Sequence, residues 1–170
     1  TLFCVSTRTQ EILRRLGGDP EFSARFATES EVLREIEVLP TDWGVREALA
    51  RTRLKSTVEF FETVRRHWRR HFFSNDFLSH DTIYPSANEY VTHLHDAGAA
   101  IFYLTGRSQK NMREGTVNML KKWGFPYVSD ERLIMKPIEA ETDSAYKAEA
   151  LVHLVHEYGH IWVFENEPVI

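Results

Sequence analysis

Ala99-Ala100-Ile101-Phe102-Tyr103-Leu104-Thr105-Gly106-Arg107 is the stretch from which the fold is read. Six apolar or aromatic residues run without interruption and stop at Thr-Gly-Arg. A short apolar run between Gly98 and Gly106 predicts a buried strand of a parallel sheet rather than a helix. Thr105 and Arg107 then stand at the carboxyl end of that strand, where open α/β sheets bind ligands. A hydroxyl and a permanently charged guanidinium there suit an anionic oxygen, most simply a phosphate. The same residues admit a plainer reading, in which Thr105 caps the next helix and Arg107 is solvated.

Outward from this strand, helix and strand signals alternate. Ala87, Tyr90, Val91 and Leu94 form a one-faced helical stripe, and Gly98 suits the C′ position after it. Downstream, Met112, Thr116, Leu120 and Trp123 mark a second helix stopped by Gly124. Tyr127-Val128 and Arg132 to Met135 read as short strands. Asp143 or Ser144 caps a third helix with Ala148, Leu151, Val152 and Val155 inward, ended by Gly159. Ile161-Trp162-Val163-Phe164 reads as a second buried strand, ending in Glu165-Asn166-Glu167. This alternation predicts βαβ units in an α/β fold with a mainly parallel, Rossmann-like sheet and flanking helices. The carboxyl ends of the two apolar strands then face one crevice.

The amino-terminal part has a different texture. Thr1 to Val5 reads as a strand end. From about Thr9 to Phe73 only helical spacing is found, in roughly four helices. Ile12, Leu13 and Leu16 form one face, and Asp19-Pro20 offers an N-cap followed by Pro at the first helical position. Pro40-Thr41-Asp42 breaks the pattern and offers another cap. The last helix carries Val58, Phe61, Val64, Trp68 and Phe72. The expected division is therefore a core of residues 1–8 and 74–170 with an all-helical insertion over 9–73.

Length and composition suit a globular protein with a sizeable core. The formal net charge of -4 argues against a polyanion-binding chain as a whole. Cys4 is the only cysteine, so no internal disulfide forms, and a reducing cytoplasmic setting is expected. No apolar run approaches transmembrane length and no signal-peptide pattern is read, so no membrane partner is expected. The abrupt opening on Thr1-Leu2-Phe3, without an initiator Met, predicts a segment of a longer protein.

Several constellations carry possible chemistry. Glu165 and Asn166 offer the hard oxygen ligands that Mg²⁺ takes. Lys147 opens the third helix, against the dipole preference, and its amine suits both a carboxylate and a phosphate. Lys136, beside Pro137, is the competing lysine. His153, His156 and His160 lack the accompanying pattern of a zinc site. Cys4 has no identifiable base and reads as a buried thiol. Arg65-Arg66-His67-Trp68-Arg69-Arg70 mixes basic residues with a Trp, as nucleic-acid surfaces do. Glu59 and Glu62 stand at pairing distance along that helix, and a solvated basic face is the favoured reading.

These residues resemble the haloacid dehalogenase superfamily of phosphotransferases. Ile101 to Arg107 is similar to its second motif, Tyr146-Lys147-Ala148-Glu149-Ala150-Leu151 to its third, and Val163-Phe164-Glu165-Asn166-Glu167 to its fourth, with Glu-Asn in place of the usual acidic pair. The resemblance covers about residues 76–170. It implies an α/β core, a helical cap insertion and Mg²⁺-dependent hydrolysis of a small phosphorylated substrate. It assigns catalytic roles to Thr105 and Lys147, substrate contacts to Thr1, Gly106 and Arg107, and metal ligation to Glu165 and Asn166. The family's first motif, D-x-D-x-T, supplies a nucleophilic and an acidic Asp; Thr1-Leu2-Phe3 resembles the tail of that motif, which places both aspartates before residue 1. The alternative function is a non-catalytic nucleic-acid or phosphate-ligand module using the basic helix.

Overall fold

A computed structural model describes residues 2–52, 54, 57–137 and 142–165. The chain divides into two compact units, Phe3–Thr82 and Ile83–Ile170, the latter joined by Thr1–Leu2.

The first unit is almost entirely helical. A short strand β1 (Phe3–Cys4) leads into α1 (Ser6–Gly18), α2 (Pro20–Arg25), α3 (Ala27–Glu35), α4 (Val45–Arg51) and α5 (Val58–Phe72). A 3-10 turn over Leu78–His80 and strand β2 (Thr82–Ile83), which pairs with β1, follow. Five helices thus occupy the stretch where about four are expected, because the Phe22 and Leu33 faces belong to separate helices joined at Phe26. Asp19 caps α2: its Oδ1 accepts the Phe22 N–H at 2.8 Å, with Pro20 at the first helical position. Asp42 caps no helix. Its carboxylate accepts the Leu39 N–H at 2.8 Å and pairs with Arg51, which closes the turn after Pro40.

Apolar spacing on these helices converges on one core of Leu13, Leu16, Phe22, Phe26, Leu33, Ile36, Val45, Ala48, Leu49, Phe60 and Val64, among others. Phe22, Phe26 and Phe60 meet as tilted and edge-on rings with centroids 5.0–6.0 Å apart, the geometry that aromatic quadrupoles favour. On α5 the inward ring is Phe60, fully buried, while Val58 is exposed. Arg8, itself buried, pairs with buried Asp81 at 3.0 Å and stacks its guanidinium 3.9 Å over the Phe72 ring. Burying both charges is tolerable because they neutralise one another, and Arg8 Nη1 also donates to the Phe72 carbonyl at 3.1 Å. The Cys4 thiol is buried and lies 3.1 Å from the Ser6 hydroxyl.

The second unit is mixed α/β. It contains α6 (Ala87–Asp96), β3 (Tyr103–Ser108), α7 (Gln109–Lys122), a 3-10 turn over Asp130–Arg132, β4 (Leu133–Lys136) and α8 (Asp143–Tyr158). Strands β3 and β4 are parallel, with Tyr103 opposite Leu133, Leu104 opposite Ile134 and Thr105 opposite Met135. Between the last pair and the next, Ser108 opposite Lys136, β3 advances three residues and β4 one. Gly106 and Arg107 are therefore the two extra residues of a bulge, which bends a strand and re-aims its side chains.

The strand begins at Tyr103 and runs through Thr-Gly-Arg, so it sits later than the apolar run suggests. Of the apolar residues before it, Ala99 and Ala100 are exposed and Ile101 and Phe102 half-buried, all outside any strand. Gly98 ends α6 with φ +93°, which only glycine adopts without strain. Helix α7 buries Met112, Thr116 and Leu120 as the spacing predicts. Helix α8 buries Tyr146, Lys147, Ala150 and Leu154, leaving Val152 and Val155 exposed, so its inward ridge is the i,i+4 row rotated from the expected one. Tyr127-Val128 forms no strand, and neither does Ile161–Glu165. Trp162 is 81% exposed, and Phe164 meets only the edge of Tyr90 among the described ring contacts, at 5.6 Å. Apolar character without a neighbouring strand to bond the backbone does not make a strand.

Helices α1 and α3 cross unusually closely at Gly17. A Cβ there meets the Ser30 carbonyl oxygen at 2.7 Å, the Arg34 nitrogen at 2.9 Å and the Leu33 Cβ at 2.9 Å. Two of these are backbone atoms that cannot move aside. Gly17→Ala is expected to lose about 1–3 kcal/mol to overpacking, more than the roughly 0.5–1 kcal/mol an alanine returns in helix propensity. Gly18 has open space around it, so Gly18→Ala is expected to be neutral or stabilising. Urea melts of the two variants check the contrast.

Candidate phosphoryl site at the ends of the parallel strands

The side chains with chemical potential in the second unit gather where β3 and β4 end. Thr105 is the last residue of the regular ladder. Its Oγ1 accepts the Arg107 N–H at 3.3 Å, which holds the bulge in shape. Thr105 does not cap the next helix. Ser108 does, accepting the Asn111 N–H at 3.4 Å. Arg107 is half-buried and not simply solvated, for its Nη1 donates to the Thr116 hydroxyl at 3.4 Å on α7. A threonine hydroxyl, a glycine that leaves its backbone bare and an arginine thus share three successive positions.

Opposite this bulge, Lys136 ends β4 and α8 begins. The cap of α8 is Thr142, whose Oγ1 accepts the Ala145 N–H at 3.3 Å. Asp143 is thereby free of capping and forms an ion pair with Lys136, Nζ to Oδ1 at 2.8 Å. Its other oxygen, Oδ2, lies 2.4 Å from where a Cβ on Gly106 would sit. In this rotamer the Asp143 carboxylate occupies the space a side chain on residue 106 would take, which sets the start of α8 beside the end of β3.

One helical turn beyond Asp143, on the same face, Lys147 is 6% exposed. Its Nζ donates to Glu165 Oε2 at 2.7 Å. A buried ammonium needs such a partner, since desolvating an isolated charge is expensive. Burial pushes the neighbouring Tyr146 phenol above its ordinary pKa. The same cause raises Tyr103, whose hydroxyl donates to the Pro126 carbonyl at 2.9 Å.

The structure thus gathers Thr105, Gly106 and Arg107 on one bulge and pairs Lys147 with Glu165. Thr1 and Asn166 lie outside the described residues. Asp143 was not singled out as a site residue, although its i,i+4 spacing to Lys147 is visible in the chain. Its contact with Gly106 joins elements far apart in sequence, and no local pattern reveals it.

A carboxylate such as Glu165 is the donor type that Mg²⁺ takes, so the chemistry of the residue fits. Among the described residues no group of three or more His, Cys, Asp or Glu side chains is placed to hold a metal. His153, His156 and His160 are all exposed. On the basic helix, Trp68 is turned to the core: it packs against the apolar cluster and its Nε1 donates to Thr9 Oγ1 at 3.2 Å. The ring that base stacking requires is thus committed inside. Among the described residues no helix is long and apolar enough to cross a membrane.

His67, on that helix, stacks on His71 with centroids 4.5 Å apart. Burial holds its pKa below the ordinary value, His71 and Arg70 add repulsion, and Asp19 opposes them. Protonation therefore favours the unfolded chain. The stability this group contributes is complete above about pH 6.5 and is lost as pH falls through the lower folded value. His67→Gln is expected to flatten the loss of melting temperature between about pH 6.5 and 5, as followed by circular dichroism.

A family model described as HAD superfamily, subfamily IIIB (Acid phosphatase) matches residues 77–164, slightly more than half of the chain. No curated protein and no solved structure matches.

Proposed function

The chain belongs to subfamily IIIB of the haloacid dehalogenase superfamily, the acid phosphatases, and from that premise we propose that it forms the core and cap of a Mg²⁺-dependent phosphomonoester hydrolase. The observation that carries this reading is the seating of the start of α8 on Gly106. Lys147, paired with Glu165, follows Asp143 by one helical turn, which supports reading these groups with the Thr105-Gly106-Arg107 bulge as one site.

In this reading residues 1–8 and 74–170 are a Rossmann-like core and residues 9–73 are the helical cap. The phosphoryl group sits on the bulge. The Thr105 hydroxyl donates to one phosphoryl oxygen. Arg107 adds a fixed positive charge beside it. Lys147 balances the negative charge that grows on the phosphoryl oxygens as the bond to the leaving group breaks. It is held ready by Glu165, so little reorganisation is needed at the moment of reaction. Glu165, with Asn166, is the set that would hold Mg²⁺. When bound, that ion supplies charge neutralisation to the phosphoryl oxygens and the nucleophile. By the resemblance, the nucleophile would be an Asp carboxylate of the family's D-x-D-x-T motif, whose Thr corresponds to Thr1. It forms an aspartyl-phosphate that water then hydrolyses with the help of the motif's second Asp. The substrate is a small phosphorylated molecule.

Lys147→Ala is expected to lower kcat for p-nitrophenyl phosphate by roughly 10²–10³-fold in the protein as it occurs naturally, the scale of losing one preorganised electrostatic group. Unchanged turnover in that variant, with Lys136→Ala inactive instead, transfers the role to Lys136. Activity that survives both variants removes the reading.

A further inference from the structure

Two lysines stand at this strand end, and the hydrolytic scheme uses only Lys147. The other, Lys136, is 18% exposed at its side chain and pairs with Asp143, which is 50% exposed. Asp143 places one carboxylate oxygen on Lys136 and the other against the Gly106 backbone. An anionic group of the protein's own is thus lodged beside the bulge, paired with Lys136, whose one ion pair among the described residues is with Asp143. Thr142 already caps α8, so the carboxylate is not needed for the helix end. Nor is it locked in place, since the clash that a Cβ on Gly106 would make is with the far end of a short, half-exposed side chain. Half-exposed ion pairs are weak, so an incoming anion competes with Asp143 on nearly equal terms.

We propose that Lys136 anchors a second anion subsite next to the phosphoryl site, and that Asp143 is its built-in competitor. The preferred substrates then carry a second anionic group, a carboxylate or another phosphate, close to the phosphoryl group that is removed. That group displaces the Asp143 carboxylate and takes over the Lys136 ammonium. Substrates with one anionic group leave the internal pair intact and gain nothing from Lys136. Asp143 is accordingly a specificity residue that acts through Lys136, and the subsite rests on the reading of the bulge as a phosphoryl site.

Three stable probes separate the possibilities: methylphosphonate with one anionic group, phosphonoacetate with an added carboxylate, and methylenediphosphonate with an added phosphoryl group. Their dissociation constants are measured by calorimetry on the protein as it occurs naturally, as wild type, Asp143→Asn, Lys136→Met and the double variant. Asp143→Asn is expected to tighten one or both of the two-anion probes by about three- to tenfold relative to methylphosphonate, by removing the competitor. The probe that gains shows whether the second group is a carboxylate or a phosphate. Lys136→Met is expected to abolish the preference, and the double variant to behave as Lys136→Met alone. Amine acetylation read by mass spectrometry gives a second signature: Lys136 labels faster in Asp143→Asn and is shielded by the preferred probe. If methylphosphonate binds while Asp143→Asn leaves the ratios unchanged, the subsite is wrong and the phosphoryl site stands. If no probe binds any form, the phosphoryl site fails and the subsite falls with it.

Discussion

The parallel pairing of β3 with β4 is the constraint from which the site follows. Parallel strands end on the same side, so Thr105 and Lys136, carried by different strands, finish at one edge. An antiparallel pair would have sent them to opposite ends. The three-against-one step in register then frees Gly106 and Arg107 from the ladder while keeping Ser108 opposite Lys136. Ser108 can in consequence cap α7 directly. One irregularity thus shapes the turn at Gly106 and Arg107 and starts the helix that buries Met112, Thr116 and Leu120.

Charge is arranged around that edge in matched pairs. Lys147 is nearly buried and has Glu165, while Lys136 is more open and has Asp143. The two environments differ in a way that matters for chemistry. A buried ammonium held at 2.7 Å is rigid and strongly felt, because little water screens it. An ammonium paired with a half-exposed carboxylate exchanges partners easily. The first arrangement suits stabilisation of a developing charge, and the second suits recognition.

The helical unit obeys a different logic. Its core is made of side chains at helical spacing, and its limits are set by backbone approach. Gly17 lets α1 and α3 touch through their main chains, and the three phenylalanines Phe22, Phe26 and Phe60 fill the space beyond. The buried Arg8–Asp81 pair ties α1 to the turn before β2, so one ion pair joins residues more than seventy positions apart.

The sequence by itself determined what depends on local spacing and on residue chemistry. The inward face of α7, the Asp19-Pro20 helix start, the glycine stop at Gly98 and the helical character of the first unit are all of this kind. So is the family, because Thr105-Gly106-Arg107, Lys147 and Glu165 occur in a recognisable order. Tertiary structure decided what depends on a partner. Ile161 to Phe164 is as apolar as a strand, yet a strand exists only where another backbone accepts its hydrogen bonds, and among the described residues none does so there. The inward face of α8 was set by what packs against Tyr146, Ala150 and Leu154. The place of Asp143 on Gly106 was set by two segments meeting across 37 residues of chain. Spacing along a chain encodes period and chemistry, whereas contact between distant segments is encoded only by the whole fold.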